Sequence, residues 1–342
     1  MQELIFCSKC VMDGTATEIV LDENGVCNFC HQAQSELYGI SMNMFPQQFA
    51  DSIKTDGKYD CIIGLSGGVD SSYMLHRAVK LGLRPLCFSV DNGWNSPESD
   101  ENILRMVEKL KVPFYRYTID VPKFQELQGA FMQAGLKNLE IPTDHILMAT
   151  TFEMASTYGI KTILSGGNVN TESIMPASWG YNARDLTHIK DVFKKMTGKK
   201  LKGLPVCSIW KWNYYRWVKK IKTVYLLDYL NYNRAEAEKI LIEEYGFKST
   251  GEKHEESLFT RWFQNYYLFQ KWGIDKRKAH YSAMINSGQM TRSEAMDKLL
   301  VSPVYPKLGL EAKISRFKKR EHEEFRMDRW YNIISKVVKL FT

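Results

Sequence analysis

The chain has 342 residues, 44% of them hydrophobic and 25% charged, with a net charge of +7. At roughly 100–200 residues per domain this length allows two or three domains, and the composition excludes disorder or low complexity as the main state. The charge is uneven: residues 1–200 sum to −4 and residues 201–342 to +11, and the second part holds six of the eight tryptophans. Such a surface suits a phosphate-bearing partner, or else is a solvated basic face over an aromatic core. No apolar run reaches the roughly 18–20 residues of a membrane span. Met1 to Cys10 lacks the apolar stretch of a signal peptide. Both point to a cytoplasmic location. The seven cysteines are an odd number, which argues against a disulfide framework.

Four of them, Cys7, Cys10, Cys27 and Cys30, form two C-x2-C pairs separated by sixteen residues. Each pair lets one tight turn present two sulfurs to a single ion, and four thiolates leave no open coordination position. The spacing predicts a structural Zn2+ site in a module over 1–45, with an iron–sulfur cluster as the rival. His31 competes as a ligand but is expected just outside the shell. Val11 to Val26 reads as strand, turn and return, as in a zinc ribbon. A module this small has too little core to fold without its metal.

Tyr59 to Leu65 is an apolar run that predicts a buried strand. It leads into Ser66-Gly67-Gly68-Val69-Asp70-Ser71-Ser72, after which a helical pattern begins. A strand, a glycine turn and a helix start in sequence make an anion site from backbone N–H groups and the helix dipole. Gly67 and Gly68 permit close approach. Asp70 sits beside a phosphate only if Mg2+ lies between them. The loop is neither a Walker sequence, since no Lys follows the glycines, nor a G-x-G-x-x-G fingerprint.

Pro85 to Val90 predicts a second strand, followed by Asp91. A helix is expected from about Glu98, a third strand over Val112 to Ile119, and a helix over Thr143 to Tyr158 with Thr143 as N-cap. A fourth strand, Lys161 to Leu164, runs into a second glycine loop containing Gly166, Gly167, Asn168, Thr171 and Glu172. Alternating strands and helices predict a parallel, doubly wound α/β sheet over 46–203, with ligands beyond the carboxyl ends of the strands. Lys194 to Lys202 is basic and glycine-punctuated, and reads as a loop or boundary. From Leu204 onward the pattern is helical, giving an α-helical domain over 204–342. Thr291 and Glu294 are spaced as a capping box, and Tyr331 to Phe341 reads as an amphipathic helix.

The loop Ser66 to Ser71 resembles the pyrophosphate loop (PP-loop) of the ATP pyrophosphatases, which split ATP between the α and β phosphates. That resemblance implies an adenine-nucleotide alpha hydrolase-like fold. It implies ATP and Mg2+ held by Leu65, Ser66, Gly67, Gly68, Val69, Asp70, Ser71 and Ser72. Phe88, Val90 and Asp91 would border adenine and ribose. The second loop would hold Mg2+, ribose or phosphate through Gly166, Gly167, Asn168, Thr171 and Glu172. Taken together, the four-cysteine module, SGGVDSSY, SGGNVNTES and the late stretch Lys276 to Met296 resemble N-acetyl sugar amidotransferases of bacterial surface-polysaccharide and nonulosonic-acid pathways, those of pseudaminic and legionaminic acid. The resemblance implies conversion of a sugar acetamido group to an acetamidino group. The amide oxygen is adenylated with ATP and replaced by ammonia from glutamine.

On this reading Asp70, Glu172 and Lys190 carry the chemistry. Asp144, His145, Trp179, Tyr181 and Arg184 are candidate substrate contacts. A helix-capping role is the alternative for Asp144 and His145, and solvated surface for Lys190 and His188. The remaining thiols, Cys61, Cys87 and Cys207, read as core residues without the flanking sequence of a glutaminase. A separate glutaminase subunit is therefore expected, docked on part of the basic surface, with a homo-oligomer also admitted. Nucleic acid is the minority expectation. A tRNA-modifying PP-loop enzyme, for example a thiolase, would suit the +11 part, but no C-x-x-C follows Cys30. A non-catalytic nucleotide-binding scaffold would not need Asp70.

Overall fold

A computed structural model describes residues 5–41, 45–249, 251, 253–314 and 316–328. The sequence forms α1 (Asn28–Ser41), α2 (Pro46–Ile53), β1 (Cys61–Gly64), α3 (Val69–Lys80), β2 (Pro85–Asp91), α4 (Pro97–Leu110), β3 (Phe114–Thr118), α5 (Val121–Ala134), α6 (Ile141–Thr157) and β4 (Thr162–Ser165). After these come α7 (Val169–Glu172), α8 (Leu186–Thr197), α9 (Ile209–Asn213), β5 (Lys222–Tyr225), α10 (Arg234–Tyr245), α11 (Leu258–Trp262), α12 (Arg277–Asn286), α13 (Arg292–Leu300) and α14 (Glu311–Ile314). The five strands form one sheet of order β3-β2-β1-β4-β5, parallel at every pairing.

Strand periodicity explains the layers. Ile62, Leu86, Phe88 and Ile163 face one side, where they join Phe124, Phe131, Ile146 and Ile189 from α5, α6 and α8. Their neighbours Ile63, Cys87 and Leu164 face the other, against Met74, Leu75, Ile103 and Leu241 from α3, α4 and α10. Both faces are covered, so the short strands read as continuous apolar runs rather than alternating ones. The sheet order reverses direction at β1, between β2 and β4. In an open parallel sheet a crevice opens at that reversal, beyond the strand ends. Both glycine loops leave the sheet there, one from β1 and one from β4.

Several local expectations are corrected. Thr143 is not the cap of α6: Pro142 fixes the helical φ in the first turn, the helix starts at Ile141, and the Thr143 hydroxyl accepts from Gln128 Nε2 at 3.3 Å. Lys194 to Thr197 are the last turn of α8, which ends at Gly198 with φ +71°. The segment after residue 203 is not all helix. Lys222-Thr-Val-Tyr225 pairs with β4 as the sheet's fifth strand, a β-branched run whose aromatic flanks look helical. Val11 to Val26 forms no regular strands; only isolated bridges, Phe6 with Asp13 and Leu21 with Cys27, remain of the ribbon. The capping box at Thr291 and Glu294 is formed as expected. The expected helix from Tyr331 to Phe341 lies outside the described residues.

Candidate active site

The first glycine loop has one position where only glycine fits. Gly67 has φ +78°, and a Cβ there would lie 2.2 Å from the Ser99 carbonyl oxygen. Gly68 caps α3 with extended backbone and no side-chain hydrogen bond, which leaves first-turn N–H groups of α3 for an anion. Within the loop, Ser66 Oγ and Ser71 Oγ lie 3.1 Å apart, and Ser66 Oγ accepts from Gly68 N at 3.3 Å. Ser72 is buried in the first turn of the helix. Leu65 N donates to the Phe88 carbonyl at 2.7 Å, the last rung between β1 and β2. Val90 is two residues further on, past the end of β1, so its backbone faces the crevice. Asp91 Oδ1 accepts from Gly93 N at 3.1 Å.

The second loop packs directly on the first. A Cβ on Gly166 would lie 3.2 Å from Ser71 N, and one on Gly167 would lie 3.0 Å from Glu172 Oε2. Asn168 caps α7 by accepting from Thr171 N at 3.0 Å. Its amide also reaches Asp70 Oδ2 at 3.5 Å. The two loops thereby bring the predicted residues Asp70 and Glu172 to one point. That point is filled by Lys253, whose Nζ donates to Asp70 Oδ2 at 2.5 Å and to Glu172 Oε1 at 3.0 Å. It also donates to Thr171 Oγ1 at 2.5 Å. Tyr232 donates its hydroxyl to Asp70 Oδ1, and His254 Nε2 lies 3.1 Å from Glu172 Oε1.

The electrostatics follow from this packing. Burial alone would raise Glu172, but Lys253 and His254 outweigh it and hold the carboxyl well below its usual range. Burial, together with the nearby charges of His254 and Lys253, keeps His280 neutral. Its Nδ1 lies 3.3 Å from the Thr171 carbonyl, where it donates, and its Nε2 is buried without a partner among the described residues. Burial also raises the Tyr232 phenol. Along the first turn of α6, burial and the neighbouring Asp144 push Glu140 up to about 8. Asp144 is raised to about 6, chiefly by dense surroundings. Its side chain is nevertheless accessible to water, which limits that rise.

The other candidates are placed elsewhere. His145 is buried, with Nδ1 donating to the Ala183 carbonyl at 2.7 Å and Nε2 accepting from Cys207 N at 3.0 Å; both nitrogens serve the backbone, so it is not free for substrate. Trp179 is buried and donates to the Thr15 carbonyl at 3.0 Å, fastening the cysteine module to the sheet domain. Tyr181 donates to Asp185 Oδ2 at 2.7 Å and stacks on His322. Arg184 is exposed over the Trp212 ring. Lys190 is exposed on α8 and is not among the groups gathered at Asp70; the cation there is Lys253. Lys253, His254, Tyr232 and His280, together with Glu256, whose carboxylate would lie 2.9 Å from a Cβ on Gly68, were not among the residues expected from the sequence. Only His280 carried a signal, from its place in the late Lys276 to Met296 stretch.

Beside α12 the four sulfurs of Cys7, Cys10, Cys27 and Cys30 all lie within 4.8 Å of one another and are buried. Cys7 and Cys30 are 3.9 Å apart, and Cys10 and Cys27 are 3.8 Å apart. Metal–sulfur bonds of about 2.3 Å in a tetrahedron place sulfurs about 3.8 Å apart, so the cluster has the dimensions of a single tetrahedral ion. Backbone N–H groups of Cys10 and Cys27 point at Cys7 Sγ, and Met12 N at Cys10 Sγ, as thiolates require. His31 is outside the shell, bound to Asp22 at 2.8 Å.

A parallel sheet whose β1 runs through SGGVDSS into a helix, with the second glycine loop beside it at the reversal of strand order, defines a PP-loop nucleotide-binding domain. Residues 256–337 match the family model described as "LPS biosynthesis protein WbpG-like, C-terminal domain". The chain is 28% identical over 117 residues to an uncharacterized protein of Methanocaldococcus jannaschii; the match spans 33% of this chain and 40% of that relative's length. Among solved structures it is similar to a U34-tRNA thiolase of Methanococcus maripaludis with a [4Fe-4S] cluster, at 12% identity over 83% of this chain and 87% of that one, TM-score 0.37. It is also similar to an NMN synthetase of Francisella tularensis, at 14% identity over 56% of this chain and 97% of that one, TM-score 0.31. A third is the NH3-dependent NAD synthetase of Campylobacter jejuni, at 14% identity over 42% and 58%, TM-score 0.28. Overlaps this loose say nothing of the substrate.

Proposed function

We propose that the chain is the ATP-dependent synthetase subunit of an amidotransferase acting on an N-acetyl sugar in bacterial lipopolysaccharide biosynthesis. The observation that carries this reading is the convergence of Asp70 and Glu172 on one cation site beside the N-terminus of α3, which no side chain caps. The match to the WbpG-like domain supports a place in lipopolysaccharide biosynthesis. An amide carbonyl is a poor electrophile. Attack of its oxygen on the α-phosphate of ATP releases pyrophosphate and makes an O-adenylyl imidate; ammonia adds to the carbon, and AMP leaves with the former amide oxygen. The help required is positioning and charge neutralisation. The N–H groups of the α3 start hold phosphate oxygens. Asp70 and Glu172 would hold Mg2+, which when bound neutralises phosphate charge. We assign Asp144, whose side chain is exposed at the start of α6, to the sugar. We assign Zn2+ to the four cysteines as a structural ion.

Glutamine hydrolysis belongs to a separate glutaminase subunit on this reading, with a cytoplasmic setting for both. Burial pushes Cys87 and Cys207 up to about 12 and Cys61 higher still, so no activated thiol is available in the sheet domain. The same fact counts against tRNA thiolation by these residues. The test is purified protein with ATP, Mg2+, ammonium and a panel of free and nucleotide-linked N-acetyl sugars. AMP and pyrophosphate release that depends on one sugar, with oxygen replaced by nitrogen in the product, supports the reading. Stimulation by tRNA and by no sugar sinks it.

The segment around Lys253 mimics the expected ligand. Its ammonium lies between Asp70 and Glu172, and Glu256 brings a carboxylate so close to Gly68 that a Cβ there would be 2.9 Å away. A positive and a negative group thus lie where a cation and a phosphate would bind, so Mg2+–ATP must shift this segment. Lys253→Met removes the buried cation and leaves two carboxylates facing each other, expected to cost about 3–5 kcal/mol without metal. Mg2+ should recover much of that loss by taking the vacated place, while turnover falls on the order of 10²-fold. Thermal melts with and without Mg2+ check this; a melt unchanged by either substitution or metal is the contrary result.

A further inference from the structure

Residues 192–227 contain no Asp or Glu and ten cations, nine of them lysine. In the middle of this block α9 and the helical turns after it touch α6 through Trp212 and Tyr215, which pack against Phe152. The opposite face is turned outward. Trp210, Tyr214, Trp217 and Val218 are exposed by 64%, 45%, 57% and 66%, amid the exposed cations Lys211, Arg216, Lys219, Lys220 and Lys222. Lys222 N bonds the Lys161 carbonyl at the start of β4, so this face reaches the edge where the strands begin. The glycine loops lie at the opposite edge. The patch therefore lies apart from the nucleotide site.

We propose that this face seats the protein on an anionic lipid bilayer surface. Amphipathic aromatic rings beside lysines, on a short helical segment whose other side is core, are what an interfacial anchor needs: rings at the headgroup level and cations in the field of anionic lipids. Three features favour lipid over RNA. The cations are almost all lysine, a hydrated point charge that suits a diffuse field, rather than the planar arginine that grips phosphate bidentately. Arg216 lies over the Trp217 ring and Lys219 over the Tyr214 ring, so each of these rings already has a cation on a face that a base would stack on. Val218, the most exposed of the four, has no face to offer a base but has an aliphatic side chain to bury.

The test uses the full-length protein with two sets of vesicles, one of phosphatidylcholine alone and one of phosphatidylethanolamine and phosphatidylglycerol at roughly 3:1. Co-sedimentation on the anionic vesicles about tenfold or more above the neutral ones, weakened by salt and with a blue-shifted tryptophan emission, is expected. Trp217→Ser with Val218→Ser should lower that binding about tenfold, and Lys219→Gln with Lys220→Gln should do so on the anionic vesicles only. All four side chains are exposed, so circular dichroism and ATP turnover in solution should not change; that also separates this proposal from the proposed reaction. No binding to anionic vesicles at low salt overturns the proposal. So does equal binding by the variants, or loss in the variants of tRNA or of a protein partner in place of vesicle binding.

Discussion

Replacing Asp70 by Asn is expected to lower ATP-dependent pyrophosphate release on the order of 10³-fold, with a lower melting temperature but an intact fold. The substitution keeps the shape and removes one charge. Tyr232 can still donate to the amide oxygen at the position it now reaches. Lys253 loses its acceptor at Oδ2, where the amide NH2 now faces it, but keeps Glu172 at 3.0 Å and Thr171 at 2.5 Å as partners, so its charge is not stranded. What is lost is half of the pair that would hold Mg2+ against the phosphates. Binding of ATP without Mg2+, which relies on the α3 N–H groups, should weaken far less than turnover. Turnover in the Asn variant within tenfold of the parent protein would take Asp70 out of the metal site.

The parts of this site legible in sequence were the local ones. Ser66 to Ser72 announced itself because a strand end, a glycine turn and a helix start are adjacent in the chain. The second loop, about a hundred residues on, followed from the same local logic plus the rule that parallel strands present their carboxyl ends together. Lys253 and Glu256 gave no such signal. In sequence they belong to Lys253-His-Glu-Glu256, a charge run indistinguishable from solvated surface. Only the fold carries that run across 183 residues to Asp70. Lys190 failed for the converse reason: it is near the second loop in the chain, but α8 turns it to solvent. His145 and Trp179 were misjudged because a polar aromatic group near a loop looks like a ligand contact, whereas a buried one has to satisfy its nitrogens on backbone carbonyls and N–H groups. β5 escaped because four residues among aromatics have too short a period to read.

Removing the metal from the four cysteines is expected to disable the distant nucleotide site, although the module offers it no reacting group. The link is α12. Asn286 donates to Cys30 Sγ at 3.2 Å, Ser282 Oγ accepts from Val11 N at 3.2 Å, and Lys278 pairs with Asp13. On α13, Arg292 donates to the carbonyls of Cys10 and Cys7 at 3.1 and 3.4 Å. The same α12 reaches the second glycine loop, through His280 at the Thr171 carbonyl and through Ser287, which follows it and donates to the Asn170 carbonyl at 2.8 Å. Ion binding worth an apparent 10–16 kcal/mol in small zinc modules is more than the stability of most whole domains, so the module cannot keep its shape without it. Chelation, or Cys10→Ser, should therefore raise amide exchange over 277–286 and 169–172, loosen Thr171 and Glu172, and abolish turnover, with one equivalent of Zn2+ restoring all three in the chelated protein. Full protection of α12 amides and undiminished turnover in metal-free protein would show instead that the module is only a neighbour of the site.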